Sequence, residues 1–359
     1  MKNMFIVTGS LGNGGIEKVT SRIANYYIEK GYKVTICCLF GGEDRIFVPL
    51  NEKIEVLFFN GAKENSKAKI LMAGKWITFL RDAFKERNPD YVLAMTLKIG
   101  ALCVLARRKM NIRISFRETC DPKTKVRSAT FDRILCLICK KIDGIIFQTE
   151  WEKSCYPEYM QNKGRVIPNP VSVDVLWEYN PENKNIVTMG RLDNIQKRHD
   201  ILIEAFNIFT KKNPGYNLVL YGEGPDKEYD EKLVKKYGLE DSVIFAGAKK
   251  GIHSLIRDAN MFVMTSDFEG LSNALAEAMV MGIPCISSDW PGCSEVINHK
   301  VNGYIYTRQN ADELASYMDD LANNTQKRLS FSSEAQKLKA HFDPETVIDE
   351  YAKIIEGKR

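Results

Sequence analysis

Short apolar runs alternate with helix-like segments along nearly the whole chain, and this alternation restricts the fold more than any other feature. Residues 4–8 read as a first strand, 16–30 as a helix closed by Gly31, and 33–39 as a second strand. Residues 91–95, 112–116 and 144–148 read as further strands between helical stretches. Short apolar strands separated by helices imply a parallel sheet covered on both faces. Ile167-Pro-Asn-Pro-Val171 interrupts the pattern, because two prolines at this spacing forbid helix and favour an extended turn, which suits a hinge. The alternation then restarts, with strands expected at 185–189, 217–221, 242–246, 261–265 and 283–287, each followed by a helical segment. The expectation is an α/β chain of two similar halves, 1–170 and 171–342, with a ligand crevice between them at the carboxyl ends of the strands. A last helix within 343–359 is expected to pack back towards the first half.

A length of 359 residues fits two domains of about 150–200 residues each. No uncharged apolar run reaches the roughly 18 residues that cross a bilayer, and the amino terminus has no signal-peptide pattern. Nine scattered cysteines, an odd number, argue against a disulfide framework and for a reducing cytoplasm. Cys136 and Cys139 form a C-x-x-C inside an apolar, helix-like run without a second pair, so packed core thiols are expected rather than a metal or redox site. The net charge of +5 is unevenly divided: residues 1–170 carry 29 Lys and Arg against 17 Asp and Glu, or +12, and residues 171–359 carry 22 against 29, or −7. The basic half is expected to face something anionic.

The richest motif is Glu269-Gly-Leu-Ser-Asn-Ala-Leu-Ala-Glu277, set between two apolar runs. One carboxylate precedes a helix start and the other lies inside the helix. The free N–H groups of Gly270, Leu271, Ser272 and Asn273 between them suit an anion such as a diphosphate. Gly190-Arg191-Leu192 and Lys197 follow the first strand of the second half, where two cations could neutralise a diphosphate. Gly222 opens a turn that would let a ligand pass close, and Lys249 follows the next strand as a wall for a base. In the first half, the loop from Gly9 to Gly14 and Gly15 permits close approach to a phosphate or sugar. The second strand lacks the acidic end of a dinucleotide fingerprint, and no Lys-Ser/Thr pair makes a P-loop.

Taken in order, these pieces resemble the retaining GT-B glycosyltransferases of family 4. The resemblance rests on the Gly14-Gly15 loop, Ile167-Pro-Asn-Pro, Gly190-Arg191-Leu192 with Lys197, Gly222-Glu-Gly-Pro and the Glu269/Glu277 motif. Gly282-Ile-Pro-Cys, Gly292, Glu295 and Asn302-Gly303 extend it over essentially the whole chain. It implies two Rossmann-like domains facing a central crevice, the first binding acceptor and the second a nucleotide sugar. It further implies that Glu277 holds the ribose, Glu269 the donor sugar, and Arg191 and Lys197 the diphosphate. The donor would be UDP-linked, with no metal required and no protein nucleophile. Many relatives carry a first-domain histidine near the reacting sugar, yet all four histidines here lie beyond residue 198. Ser115-Phe-Arg117-Glu118-Thr-Cys-Asp121-Pro stands there instead and looks like a subgroup associated with capsular and exopolysaccharide assembly. Arg117 or Glu118 would then touch donor or acceptor, or form a structural ion pair.

Two carboxylates could also serve a glycosidase, whose carboxyls stand about 5–10 Å apart, but the adjoining cations favour a phosphate. A UDP-sugar 2-epimerase-like enzyme and a non-catalytic nucleotide-sugar or glycan-binding protein are the alternatives of other classes. Basic residues gather around apolar helices in the first half: Lys63, Lys67, Lys69, Lys75, Arg81, Lys85 and Arg87 accompany Trp76, Ile77, Leu80 and Phe84. Arg107-Arg108-Lys109 and the stretch 123–141 add more. The expectation is a peripheral contact with the inner membrane face and a lipid-linked oligosaccharide acceptor, with no nucleic acid partner, against an ordinary core-packed amphipathic helix.

Overall fold

The computed structural model describes residues 1–12, 14–59, 69–119, 121–123, 129–173, 179–180 and 182–358, with backbone only at 69–71 and 129. The chain forms two units, Met1–Pro170 with Glu345–Arg359, and Val171–Pro344.

The first unit is built on β1 (Asn3–Thr8), β2 (Lys33–Cys38), β3 (Glu55–Phe58), β4 (Tyr91–Ala94), β5 (Arg113–Arg117), β6 (Gly144–Phe147) and β7 (Gly164–Val166). All neighbours pair in parallel, in the order β3-β2-β1-β4-β5-β6-β7. The helices are α1 (Gly15–Glu29), α2 (Lys69–Arg87), α3 (Leu97–Arg107), α4 (Ala129–Ile138), α5 (Glu150–Ser154) and α6 (Glu158–Gln161). Side chains alternate across each strand. Phe5, Val7, Val92 and Phe116 therefore meet α2, α3 and α4 on one face, whereas Met4, Ile6, Ile36 and Leu93 meet α1 on the other.

The second unit repeats the plan with β8 (Asn185–Met189), β9 (Asn217–Tyr221), β10 (Val243–Phe245), β11 (Met261–Met264), β12 (Cys285–Ser288) and β13 (Tyr304–Tyr306), ordered β10-β9-β8-β11-β12-β13. Its helices are α7 (His199–Thr210), α8 (Lys227–Tyr237), α9 (Ile252–Ile256), α10 (Asn273–Val280), α11 (Ala311–Asn323) and α12 (Thr325–Gln336). In both sheets the strand order reverses beside the first strand, between β1 and β4 and between β8 and β11. A ligand crevice opens at such a switch point.

The last helix, α13 (Pro344–Glu356), completes the first unit from Glu345 onward. Val347, Tyr351 and Ile355 join the core on the α1 face. Arg113 Nε donates to the Ile355 carbonyl at 2.9 Å, and the Tyr351 hydroxyl donates to the Pro168 carbonyl at 3.0 Å. Gly144 leaves room for this helix, since a Cβ there would lie 2.8 Å from Ile354 Cγ2.

Among the described residues none of the eight cysteines forms a disulfide, and Cys136 and Cys139 are buried in the core. No helix among them is long and apolar enough to cross a membrane.

Candidate functional site

The turns after β8, β9 and β11 form one bonded assembly in the second unit. Gly190 N–H donates to the Tyr221 carbonyl at 3.0 Å, Leu192 N–H to the Glu223 carbonyl at 3.1 Å, and Asp226 N–H to the Leu192 carbonyl at 3.1 Å. This zipper needs glycine. A Cβ on Gly222, whose φ is +152°, would fall 1.8 Å from the Gly190 carbonyl oxygen, and one on Gly224 2.1 Å from that of Leu192. From the other side, Asp267 N–H donates to the Gln196 carbonyl at 2.8 Å and Thr265 Oγ1 to the Lys197 carbonyl at 2.7 Å. Arg198 spans Asp200 at 2.9 Å and Asp267 at 3.2 Å, which fixes the start of α7.

This framework brings Lys197 and Glu269 together across the switch point. Lys197 Nζ stands 2.6 Å from Glu269 Oε1, which also accepts from Ser266 Oγ at 2.7 Å. Glu269 Oε2 is left with a longer contact from Gln196 Nε2 at 3.3 Å. Both charged side chains are largely buried, at 17% and 10% exposure. Arg191, by contrast, is 68% exposed and only loosely paired with Asp193 at 3.8 Å. His199, next to Lys197, is buried. Desolvation and then the lysine charge push its pKa down to about 4, so the ring stays neutral near neutral pH.

Ser272 caps α10, its hydroxyl accepting from Leu275 N–H at 3.4 Å. Glu277 lies in the second turn and is buried, with Oε2 3.4 Å from Nε2 of His253 in α9. Glu277 is legible in the sequence motif, whereas His253 is not. The only signal was one histidine four residues beyond Lys249, too weak to connect with a helix beyond the next strand. Lys249 is exposed, and Gly247 accepts from the Gly222 N–H at 3.1 Å.

In the first unit, Gly14 precedes α1 and Gly15 opens it. A Cβ on Gly14 would meet Glu17 Oε2 at 2.4 Å, and Glu17 Oε1 accepts from Ser10 Oγ at 3.0 Å, so a carboxylate covers this turn. Asn13, within the loop, lies outside the described residues. Arg117 and Glu118, at the end of β5, are both buried and held by their own unit. Arg117 Nε donates to the Tyr351 hydroxyl at 3.1 Å and another guanidinium nitrogen to Asn169 Oδ1, while Nη1 has no hydrogen-bond partner among the described residues. Glu118 accepts from the Tyr156 hydroxyl and from Thr119 N–H at 2.9 Å.

Beside them Glu152 is buried, with Oε2 accepting from Gln148 N–H at 2.6 Å and Oε1 without a hydrogen-bond partner among the described residues. Desolvation, reinforced by the neighbouring Glu118, pushes its carboxyl up to about 8. The unfolded carboxyl titrates near 4.3, so between these values the folded chain holds a proton that the unfolded chain releases. Stability should therefore fall as pH rises through this window, by up to about 1.4 kcal/mol per pH unit. Glu152→Gln should flatten the decline in Tm between pH 5 and 8, measured by thermal unfolding. An unchanged decline would show that another group carries it.

The α2 face proposed for a membrane is core instead at its centre. Leu80 and Phe84 are fully buried, and Trp76 and Ile77 pack against the same cluster. Arg87 is paired with Glu55 at 2.7 Å. Lys63 and Lys67 lie outside the described residues, as does the Lys69 side chain. Among the described residues no group of His, Cys, Asp and Glu is placed to hold a metal.

Residues 177–338 match the family described as Glycosyl transferases group 1, and residues 13–175 match Glycosyltransferase Family 4. An uncharacterised glycosyltransferase of Haemophilus influenzae is 26% identical over 99% of this chain and 100% of its own length. The amylovoran biosynthesis glycosyltransferase AmsD of Erwinia amylovora is 24% identical over 99% of both chains. Among solved structures, Anabaena Alr3699/HepE in complex with UDP-glucose superposes with a TM-score of 0.81 at 19% identity, covering 99% of this chain and 100% of the other. That likeness establishes the two-Rossmann-domain GT-B fold.

Proposed function

Because the chain is a GT-B glycosyltransferase, group 1 in its carboxyl-terminal part and family 4 type in its amino-terminal part, we propose that it transfers a sugar from a UDP-linked donor, with retention of configuration. The transferred sugar is a hexose or N-acetylhexosamine. The acceptor is a glycan of cell-surface polysaccharide assembly, lipid-linked and presented at the inner membrane face. The amylovoran enzyme's name and the UDP-glucose bound to the Anabaena protein support the polysaccharide and the donor.

The observation that carries this reading is the buried Lys197–Glu269 pair at the β8/β11 switch point, with Glu277 in the second turn of the adjoining helix. An ammonium has three donors, so Lys197 can keep Glu269 and still contact a diphosphate oxygen. Glu269 Oε2, weakly engaged, is the acceptor for a sugar hydroxyl. Arg191, loosely held, can turn onto the diphosphate, and the amino terminus of α10, capped by Ser272, suits the same charge. In the transfer, the bond from the anomeric carbon to the diphosphate oxygen breaks and one to the acceptor oxygen forms on the same face. The acceptor's proton passes to a phosphate oxygen of the departing UDP. Charge develops on that leaving group, and donors placed there each lower the barrier by about 2.7–4 kcal/mol.

Calorimetric titration tests the donor assignment. Glu277→Ala should weaken UDP binding by about tenfold or more, the scale of a charged hydrogen bond. It should leave 2′,3′-dideoxyuridine diphosphate, which lacks the hydroxyls, almost unaffected. Equal losses for both nucleotides would remove Glu277 from the ribose.

A further inference from the structure

The same α2–α3–α4 layer that buries Leu80 and Phe84 inward carries an unexplained outer surface. A pocket of about 640 Å³ is lined by Arg81 and Lys85 of α2 and by Arg108, Lys109 and Met110 after α3. Four cations converge on it, and none has an ion-pair partner among the described residues. The neighbouring basic residues are engaged elsewhere: Arg87 with Glu55 and Arg107 with Asp143. Arg81 also has a buried Nε without a hydrogen-bond partner among the described residues.

Local structure holds the rim in place. Arg108 has φ +47° and ψ −116°, a conformation that a side chain other than glycine adopts only where its surroundings impose it. They do so here through Arg107, which turns inward and donates to the Ile112 carbonyl at 3.1 Å, the Lys141 carbonyl at 2.7 Å and Asp143 at 2.6 Å. Arg108 and Lys109 are left exposed at the rim.

The neighbouring helix is apolar outward. Phe131, Ile134 and Leu137 on α4 are 48%, 51% and 58% exposed, at helical spacing, and Leu105 of α3 is 43% exposed. Lys98 lies over the Phe131 ring at 6.0 Å, and Arg133, Lys140 and Lys141 are exposed beside the strip. Apolar side chains fringed by unpaired cations suit the boundary between lipid headgroups and acyl chains, whereas a soluble acidic partner would leave the apolar strip uncovered.

We propose that this outer surface docks on an anionic bilayer, with Arg81, Lys85, Arg108 and Lys109 seating a lipid phosphate and Phe131, Ile134 and Leu137 entering the interface. The guanidinium groups can meet phosphate oxygens in pairs and the lysines act as point charges. The basic pocket stands at the carboxyl-terminal ends of α2 and α3, away from the carboxyl ends of the first unit's strands. The assignment rests on the reading that transfer takes place at an anionic membrane.

Sedimentation of the full chain with vesicles of phosphatidylglycerol and phosphatidylcholine, or of phosphatidylcholine alone, tests it. The wild-type chain should bind the anionic vesicles and not the neutral ones. Each cation at the surface is worth roughly a fivefold gain in binding. Arg108→Ala with Lys109→Ala should therefore weaken binding by tenfold or more, and Ile134→Ser with Leu137→Ser should do likewise. A control of equal charge change in the second unit, Lys232→Ala with Lys235→Ala, should bind as the wild type does. UDP titration of every variant confirms an intact fold, since these residues are exposed and belong to the first unit, whereas the donor residues belong to the second. Wild-type chain that ignores anionic vesicles overturns the membrane reading itself. Wild-type binding that survives both pairs of substitutions, or falls equally in the control, overturns this site while leaving that reading standing.

Discussion

Lys197→Ala should lower kcat/KM by about 10²–10³-fold, the loss that follows removal of one charge-stabilising donor at a reacting centre. It should also destabilise the second unit, because Glu269 would be left buried and uncompensated; breaking such a pair costs about 3–5 kcal/mol. The two effects separate in the double variant. Lys197→Ala combined with Glu269→Gln removes both charges and should recover most of the stability, since losing a buried pair together is close to neutral. Activity should not return, because the diphosphate still lacks its ammonium partner, even though the glutamine amide oxygen can accept from a sugar hydroxyl. Thermal unfolding and a transfer assay on the same four proteins give both axes of the cycle. Recovery of activity in the double variant would mean that Lys197 serves Glu269 alone and never meets the donor.

Gly222→Ala should be the most damaging single-methyl change in the chain. An alanine at φ +152° is strained by about 1–3 kcal/mol. Its Cβ also needs space held by a backbone carbonyl, which no rotamer change can clear. The zipper to Gly190 must open, and Arg191 moves with it. We expect a clear drop in Tm and loss of UDP binding in whatever fraction folds, checked by calorimetric scanning and titration. Gly238→Ala, at φ +66° in open space, provides the contrast: it carries backbone strain without the collision and should bind UDP normally. Equal behaviour of the two variants would show that strain alone, rather than the close approach, makes glycine necessary at 222.

The alternation of apolar runs and helices made the central strands legible, because β1, β2, β4–β6, β8, β9, β11 and β12 are buried on both faces and so read as continuous apolar segments. The strands β3, β7 and β13 escaped notice. They are sheet edges of three or four residues, half-exposed in the first two, and Glu-Val-Leu-Phe or Gly-Arg-Val carries no such signal. The carboxylate motif and the Gly190–Lys197 turn were visible because their chemistry is local. Their bond was not, since Lys197 and Glu269 are 72 residues apart and meet only when β8 pairs with β11. For the same reason Gly222 read as an opening for a ligand, whereas its immediate neighbour is the Gly190 carbonyl. Arg117 and Glu118 read as possible sugar contacts because a sequence displays charge and hides burial. Trp76, Leu80 and Phe84 showed a periodicity that fits a core face or a membrane face equally well, and only packing distinguishes them.

The hydrogen bonds that tie the turns after β8, β9 and β11 to one another are made wholly within the second unit. On the reading proposed above, a donor bound there would encounter a backbone framework whose positions are already fixed by those bonds. Little backbone freedom remains to be lost on binding, so the contacts formed can appear almost undiminished as affinity and as preference for the charged leaving group. A lattice fixed in this way also limits adaptation: a nucleotide of different outline would have to unfasten the turns rather than bend one of them.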